Sequence, residues 1–238
     1  MNRRLFLYVD SQLNDAIGSG AYTIKLQDVT VGDGPPAVPF DFDGSTASDT
    51  SIFRPANSTW YTAEQGFDGG TRFGLATDKL VPADYDDDGI TDMAIFRDGQ
   101  WWWINSTDST VSVVQFGMAG DTPVPADYTG DGRDEIAVYR DGVWWSLDLK
   151  TSQVSAVQFG LASDRPVPAD YDGDGKKDRA IFRDGTWWIL KSSGEYYARL
   201  WGISTDKPVP ADFDGDGKTD IAVYRDGLWY ILRSTDGS

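Results

Sequence analysis

Residues 167–178 read V-P-A-D-Y-D-G-D-G-K-K-D, and close copies of this stretch begin at 81, 124 and 209. A degenerate copy, A-V-P-F-D-F, begins at 37. The first acidic residues of successive copies are separated by 43, 43, 43 and 42 residues. A fixed period of this length is typical of repeat proteins, in which one small structural unit recurs along the chain. Five copies fill nearly the whole sequence of 238 residues.

Each copy contains four short apolar segments that are separated by Gly, Asp and Ser turns. They are V-P-A-D, then a segment such as I-A-V-Y-R, then one such as W-W-I-L, then one such as V-S-V-V-Q-F-G. Such segments predict β-strands. Asp-Gly between the second and third segments, as at 184–185, predicts a tight hairpin. The pattern therefore predicts an all-β fold, a five-bladed β-propeller of four-stranded antiparallel blades.

The two ends of the chain bear on how the ring closes. The fifth copy stops at Ser238, directly after its third strand. Residues 22–28, Y-T-I-K-L-Q-D, resemble a fourth strand, so we expect an N-terminal strand to complete blade five and close the ring. The propeller then spans 21–238, and residues 1–20 are an N-terminal extension or the end of a preceding domain. The apolar run at 5–9 is too short for a signal peptide or a membrane span.

The amino-acid composition limits the partners and metal ions that this protein can bind. The formal net charge of -17 argues against a nucleic-acid partner, because binding to phosphates needs clustered Lys and Arg. The sequence contains neither His nor Cys, which removes the usual transition-metal ligands and the commonest general base. Carboxylates remain, and sites built from oxygen atoms alone favour hard cations such as calcium.

The acidic segment after each V-P-A gives the strongest chemical signal. We number these loops one to five, starting at residues 41, 84, 127, 170 and 212. Carboxylates at positions 1, 3, 5 and 9 converge when glycine at position 6 turns the chain, and the carbonyl at position 7 adds a ligand. Such crowded carboxylates repel one another unless a cation is present. We expect three to five Ca²⁺ ions, held by Asp41, Asp43, Ser45, Asp49, Asp84, Asp86, Asp88, Ile90, Asp92, Asp127, Thr129, Asp131, Arg133, Glu135, Asp170, Asp172, Asp174, Lys176, Asp178, Asp212, Asp214, Asp216, Lys218 and Asp220.

The five loops differ in how complete they are. Loops two, four and five carry Asp at all four side-chain positions. Loop three has Thr129 at position 3 and Glu135 at position 9, so we expect weaker binding there. Loop one has Ser45 at position 5 and no glycine at position 6, and its sequence is compatible with an empty site.

The repeat resembles the FG-GAP or VCBS repeats of integrin α-subunit propellers and bacterial secreted proteins. The resemblance covers roughly residues 22–238 and depends on the acidic loops and on four further motifs. These are F-G-L-A-T-D at 73, F-G-M-A-G-D at 116, F-G-L-A-S-D at 159 and W-G-I-S-T-D at 201. The resemblance implies calcium-binding propeller blades and an extracellular or cell-surface location. The blades are shorter than integrin blades and closer to those of tachylectin-like five-bladed lectins, which bind sugars.

Two functions fit this resemblance. The first is a carbohydrate-binding module in which aromatic rings stack on sugar faces. Among the ten tryptophans, Trp103 and Trp201 are candidate ligand contacts, because other copies have different residues there. The second is a non-catalytic adhesion or spacer propeller that belongs to a larger secreted or surface protein and binds a surface-protein ligand. We expect a monomer in either case.

An enzyme is the least favoured interpretation. A catalytic carboxylate pair should break the repeat once, and no such pair stands out. Glu64, Asp108 and Glu195 are unrepeated, but they lie in variable outer regions where a solvated surface role is expected. The Arg-Asp-Gly steps, as at 183–185, are interpreted as hairpin turns in which Arg supports neighbouring carboxylates.

Overall fold

The computed structural model describes residues 38–63 and 69–237, and this part of the chain contains only strands and turns. The strands form five small antiparallel sheets, arranged as a five-bladed propeller. The predicted all-β architecture is therefore confirmed. No helix in the described ranges is long and apolar enough to cross a bilayer.

The strands follow the repeat closely. Blade one contains β1 (Ser51–Arg54), β2 (Thr59–Thr62) and β3 (Thr71–Arg72), and blade two contains β4 (Lys79–Leu80), β5 (Met93–Arg97), β6 (Gln100–Ile104) and β7 (Val111–Gln115). Blade three contains β8 (Thr122–Pro123), β9 (Ile136–Arg140), β10 (Val143–Leu147) and β11 (Val154–Gln158). Blade four contains β12 (Arg165–Pro166), β13 (Arg179–Arg183), β14 (Thr186–Leu190) and β15 (Tyr196–Leu200), and blade five contains β16 (Lys207–Pro208), β17 (Ile221–Arg225) and β18 (Leu228–Leu232).

Each blade is a meander in which the strands pair in chain order. In blade four, Arg183 pairs with Thr186, so the hairpin between β13 and β14 has the two-residue loop that Asp-Gly predicts. Asp184 and Gly185 have φ values of 49° and 82°. Two consecutive positive φ values define the turn that matches the twist of paired strands. The same turn recurs at 98–99, 141–142 and 226–227.

The first strand begins earlier than the sequence indicates. In blade four, β12 precedes the V-P-A-D segment, which starts at Val167. That segment continues the pairing less regularly, because the Val167 amide donates to the Ala180 carbonyl at 2.7 Å and Ala169 bridges Asp178. Pro168 lies between these contacts and has no N–H to donate, which limits the regular ladder to the residues before it.

Tryptophans of the third strand form the centre of each blade. Trp187 is fully buried, and its ring meets that of Phe182 edge-on at a centroid distance of 5.4 Å. Its indole N–H donates to the carbonyl of Trp201, at 2.9 Å, just after the fourth strand. Trp101 and Trp144 make the equivalent bond in blades two and three. One side chain thus fills the core and holds the outer strand in register.

Apolar faces of adjacent blades pack together. Ile189 of blade four and Ile221 and Val223 of blade five belong to one buried cluster. Strands that are covered on both faces need apolar residues on both, which explains why alternation is weak in these segments.

The closure of the ring falls outside the described residues. Residues 22–28, the predicted fourth strand of blade five, and the domain boundary at 20–21 belong to the undescribed part. Blade five has three strands in the described ranges. At Gly185 a Cβ would lie 2.4 Å from the Gly202 carbonyl oxygen beside the fourth strand, whereas at Gly227 no atom of the described residues lies within 4 Å of such a Cβ.

Candidate cation sites

Acidic loops two to five lie at the same end of their blades, since each connects the first strand to the second, and loop one directly precedes β1. Positions 4 and 6 have φ values between 63° and 93° in every loop. Glycine tolerates this left-handed backbone best, which accounts for the D-G-D-G pattern. Position 4 is Gly44, Asp87, Gly130, Gly173 or Gly215, and position 6 is Thr46, Gly89, Gly132, Gly175 or Gly217.

Position 1 holds the turn in place. In loop four, Asp170 Oδ1 accepts the Gly173 amide at 2.6 Å and Oδ2 accepts the Gly175 amide at 2.9 Å. The carboxylate therefore binds both left-handed residues of its own loop. Asp41, Asp84, Asp127 and Asp212 make the corresponding bonds in the other loops.

Position 9 anchors the other end of the loop. Asp178 is fully buried, and its Oδ2 accepts the Tyr171 amide at 3.0 Å. Its Oδ1 accepts the amide of Ser192 at 2.8 Å, from the turn after the third strand. Position 9 thus connects the loop to two other parts of the blade.

Positions 1, 3 and 9 converge in loops one, two, four and five. Each position offers a carboxylate oxygen within 4.8 Å of the other two. In three of these loops, one oxygen at position 3 is buried and accepts no hydrogen bond: Asp86 Oδ1, Asp172 Oδ1 and Asp214 Oδ1. A buried carboxylate oxygen without a partner is costly, so these atoms point to a missing positive ligand. They belong to the three loops whose sequences are complete.

Position 5 lies apart from this group in those loops. Asp174 is exposed and is not among the converging carboxylates of loop four. Its Oδ1 accepts the Lys176 amide at 2.9 Å, and its Oδ2 accepts the Ser192 hydroxyl. Asp88 and Asp216 accept the hydroxyls of Ser106 and Ser234 in the same way.

Sequence reasoning missed these serines and the threonines beside two of them. Ser106, Ser192 and Ser234 each follow position 9 of their loop by 14 residues. Thr107 donates its hydroxyl to Asp86 Oδ2 at 2.7 Å, and Thr235 does so to Asp214 Oδ2 at 2.5 Å. The recurrence of Ser at this offset was the available signal.

Burial makes these carboxylates hard to ionise in the absence of a cation. Desolvation raises the pKa of Asp92 to about 7 and that of Asp178 to about 6, and neighbouring carboxylates add to the shift. Backbone amides offset only part of this effect. A divalent cation would favour the charged form and displace the proton.

Loop three departs from the others in its contacts as well as its sequence. Its converging carboxylates are Asp127, Asp131 and Glu135, at positions 1, 5 and 9. Thr129 donates its hydroxyl to Glu135 Oε1 at 3.1 Å, and the ammonium of Lys150 lies 3.4 Å from Asp131 Oδ2. Loop three therefore has a hydroxyl at position 3, where loop four has an unpartnered carboxylate oxygen, and its position 5 carboxylate lies beside an ammonium group. Weaker cation binding in loop three stays a prediction with this support.

Loop one keeps the common shape despite its degenerate sequence. Thr46 adopts the left-handed conformation at position 6, and its amide donates to Asp41 Oδ2 at 2.8 Å. Asp41, Asp43 and Asp49 converge like the carboxylates of the complete loops. The absence of glycine therefore does not prevent the turn, and Ser45 is the remaining weakness of this site.

Position 7 reaches toward the preceding loop. The side chain of Lys218 lies over Gly173 of loop four, where a Cβ would meet Lys218 Cγ at 3.0 Å. Ile90 and Lys176 lie over loops one and three in the same way. The predicted ligand at this position is the backbone carbonyl, and that role stays a prediction for Ile90, Arg133, Lys176 and Lys218.

The two candidate tryptophans have different surroundings. Trp103 is 4% exposed, its ring packs 5.1 Å from that of Tyr85, and its indole N–H donates to Asn105 Oδ1 at 2.7 Å. A ring enclosed in this way offers little surface to a ligand, and the ligand role of Trp103 stays a prediction without support from its burial. Trp201 is partly exposed and donates to the Tyr230 carbonyl at 3.1 Å. Its role stays a prediction.

The end of the blades opposite the acidic loops also exposes apolar side chains. It contains the Asp-Gly hairpins and the F-G connectors. The residue after each F-G or W-G is about half exposed: Leu75, Met118, Leu161 and Ile203. Trp145 and Tyr230 on the third strands are also exposed, and the Arg225 guanidinium lies over the Tyr230 ring, 4.8 Å from its centroid. Apolar, aromatic and cationic groups therefore alternate with polar hairpins at this end.

No protein-family model and no curated protein matches this sequence. Among solved structures, it is similar to an Agrocybe aegerita lectin in a study of how non-reducing terminal N-acetylglucosamine is recognised. The TM-score is 0.55 and the identity 20%, over 80% of this chain and 64% of the lectin. It is also similar to the extracellular domain of a one-component system from B. thetaiotaomicron, with a TM-score of 0.50 and 10% identity over 80% of this chain and 27% of that one. The chain thus spans less than two thirds of either structure, and at these identities the likeness establishes the propeller fold.

Proposed function

We propose that this propeller is a calcium-stabilised extracellular binding module and that its ligand is a carbohydrate. The calcium part depends on one observation above others, the three buried position 3 oxygens that accept no hydrogen bond. The side-chain atoms that could coordinate a metal ion at positions 1, 3, 5 and 9 of these loops are all oxygens, and a hard cation with many ligands prefers oxygen. The recurrence of this arrangement supports assignment of the chain to the FG-GAP or VCBS repeats.

The bound ions would have a structural role. Position 1, 3 and 9 carboxylates would hold each ion, and the position 5 carboxylate and position 7 carbonyl would complete the shell. The cation would neutralise carboxylates that otherwise repel one another and would fix the junction between the first and second strands of each blade. Its binding energy then adds directly to the stability of the fold.

A melting experiment tests the calcium part. In millimolar calcium the protein should melt well above its temperature in a chelator, because a tenfold excess over the dissociation constant adds about 1.4 kcal/mol per occupied site. Magnesium should rescue poorly, since it demands a smaller octahedral shell. Equal melting temperatures with and without chelator would reject calcium binding.

The carbohydrate part of the proposal is supported by exposed aromatic rings on the third strands of the blades. Trp145 and Tyr230 present partly exposed rings among polar hairpins, the mixture that sugar recognition uses. Trp201 lies beside Tyr230 through its indole hydrogen bond. The similar lectin, from a study of how N-acetylglucosamine is recognised, adds a reason to test amino sugars.

A glycan array in calcium tests this ligand class. We expect binding that Trp145→Ala and Trp201→Ala reduce at least tenfold. Asp87→Asn, at the acidic end, is the control that should leave glycan binding unchanged. An array without hits, from protein that still responds to calcium, rejects the carbohydrate ligand alone.

The second candidate is a non-catalytic adhesion or spacer propeller in a larger surface protein. It is favoured by the similar extracellular domain, of which the matched part is only 27%. A negative array together with binding to an extracellular protein surface would support it. Catalysis is not proposed, because the unrepeated Glu195 is an exposed partner of Lys191 at 3.6 Å and Asp108 is exposed and bonded to Thr110. Glu64 lies outside the described residues.

A further inference from the structure

Neighbouring acidic loops are joined through their backbones. The position 8 amide of each loop donates to the position 1 carbonyl of the loop before it. The bonds are Thr91 to Asp41 at 2.6 Å, Asp134 to Asp84 at 2.8 Å, Lys177 to Asp127 at 2.7 Å and Thr219 to Asp170 at 2.7 Å. Position 1 carries a candidate ligand, and position 8 directly precedes another. Each bond therefore connects the main chains of two cation sites.

Side chains reinforce this connection. Lys218 of loop five lies over Gly173 of loop four. The amide of Gly173 donates to Asp170 Oδ1 at 2.6 Å and so helps to set the position 1 carboxylate. A displacement of loop five would disturb the segment that shapes the ligands of loop four.

Loops two and three are held together even more extensively. Asp84 and Asp134 form two reciprocal hydrogen bonds. The Asp84 amide donates to Asp134 Oδ2 at 2.9 Å, and the Asp134 amide donates to the Asp84 carbonyl. The Arg133 guanidinium binds the Tyr85 carbonyl at 2.6 Å through Nε. Contacts between loops are thus a constant feature of the described ring, although the side chains that make them differ.

From these contacts we infer that calcium binds cooperatively to adjacent loops, and that loops four and five are the adjacent pair in which two complete sites are coupled. Both have complete ligand sets, and each has a buried carboxylate oxygen that lacks a partner. An ion that fixes loop five positions Thr219 and Lys218, which then favour the binding arrangement of loop four. Such coupling is reciprocal, and it typically changes affinity by about 5- to 150-fold. The inference rests on the proposed calcium function.

Site-resolved NMR titration with calcium tests it. The amides of Gly175 and Gly217 donate to the position 1 carboxylates of loops four and five, at 2.9 Å in both cases, so each amide reports on its own loop. Asp214→Ala should abolish the response of Gly217. If the loops are coupled, it should also raise the calcium concentration at the midpoint of the Gly175 response at least fivefold.

Two further variants separate coupling from general damage. Lys218→Ala keeps every predicted side-chain ligand and removes the contact with Gly173. Its lost positive charge alone would lower the Gly175 midpoint, so a rise of about twofold or more would report the lost contact. Asp86→Ala disables loop two, which does not touch loop four, and should leave the Gly175 midpoint unchanged. If Asp214→Ala and Lys218→Ala both leave Gly175 at its wild-type midpoint, the sites are independent and the inference is overturned while calcium binding stands. If no amide resonance of the wild-type protein changes when calcium is added, the proposed calcium function itself is rejected.

Discussion

The guanidinium of Arg183 donates two parallel hydrogen bonds to the carboxylate of Asp164, from Nε to Oδ1 at 2.5 Å and from Nη2 to Oδ2 at 2.6 Å. The Asp164 side chain is fully buried and also accepts the Leu161 amide at 2.7 Å. Asp164 ends the F-G connector that enters blade four, and Arg183 precedes the Asp-Gly hairpin of that blade. The two most constant motifs outside the acidic loops therefore form one structural unit. It recurs as Arg97 with Asp78, Arg140 with Asp121 and Arg225 with Asp206.

Asp164→Asn should destabilise the protein, because it keeps the shape of the side chain but leaves Arg183 without its counterion. Breaking a fully buried pair costs about 3–5 kcal/mol. Arg183 is partly exposed, so we expect a loss of about 2 kcal/mol in the free energy of unfolding, measured by urea denaturation in calcium. Asp184→Asn is the matched control at the hairpin tip, where Asn tolerates the positive φ and little change is expected. Equal stabilities for the two variants would show that the pair is dispensable.

This pair also marks the limit of what the sequence could predict. The repeat period and the Asp-Gly turn depend on residues close in the chain, so the blades and hairpins followed directly. The partner of Arg183 lies 19 residues away and that of Asp178 lies 14 away, at Ser192, and both pairings depend on strand register. The surroundings of Trp103 could not be predicted for a related reason: its uniqueness within the repeat is visible in the sequence, but its burial against Tyr85 is not.

Asp172→Asn should have opposite effects with and without calcium. Without the ion, it replaces a buried, unpartnered carboxylate oxygen by a neutral group and reduces repulsion with Asp170 and Asp178, so the melting temperature in chelator should rise by a few degrees. With the ion, it weakens a ligand and should lower the melting temperature. Asp87→Asn, at an exposed position of loop two, should change both values little. A variant that melts lower than wild type in both conditions would contradict a ligand role for Asp172.

The stability of the fold should depend on pH between about 8 and 5 only when calcium is removed. In chelator, burial holds the folded-state pKa of Asp92 at about 7 and of Asp178 at about 6, above the unfolded value near 4. The unfolded state then releases its protons first, so the ion-free fold should gain stability as pH falls from about 8 to 5. In calcium the same carboxylates must be ionised, and protons compete with the ion. The melting temperature should therefore rise as pH falls in chelator but stay nearly constant in saturating calcium, because both the folded and the unfolded carboxylates are then ionised between these pH values. Equal slopes in the two conditions would refute the linkage.

If no fourth strand covers blade five, Gly185→Ala should cost more than Gly227→Ala, although both residues occupy the same place in the hairpin. If residues 22–28 form that strand, the two losses should be equal. Their φ values are 82° and 85°, so each substitution should lower the free energy of unfolding by a similar amount, about 1–2 kcal/mol, because alanine disfavours this backbone conformation. At Gly185 the new methyl group would also meet the Gly202 carbonyl oxygen at 2.4 Å, which forces the fourth strand away. Urea denaturation of the two variants measures the difference. Equal losses would mean that a neighbouring strand crowds Gly227 as closely as Gly185.

Removal of residues 1–30 should lower the melting temperature by about 10 °C, whereas removal of 1–20 should have little effect. Within the described residues β18 is the outermost strand of blade five, and its Leu228 and Tyr230 are exposed. A strand from residues 22–28 would cover this edge and join the last blade to the start of the chain. Its loss removes several kcal/mol of strand pairing and packing, and each kcal/mol moves the melting temperature of a chain this size by about 2–4 °C. If both truncated proteins melt like the full chain in calcium, the N-terminal segment does not close the ring.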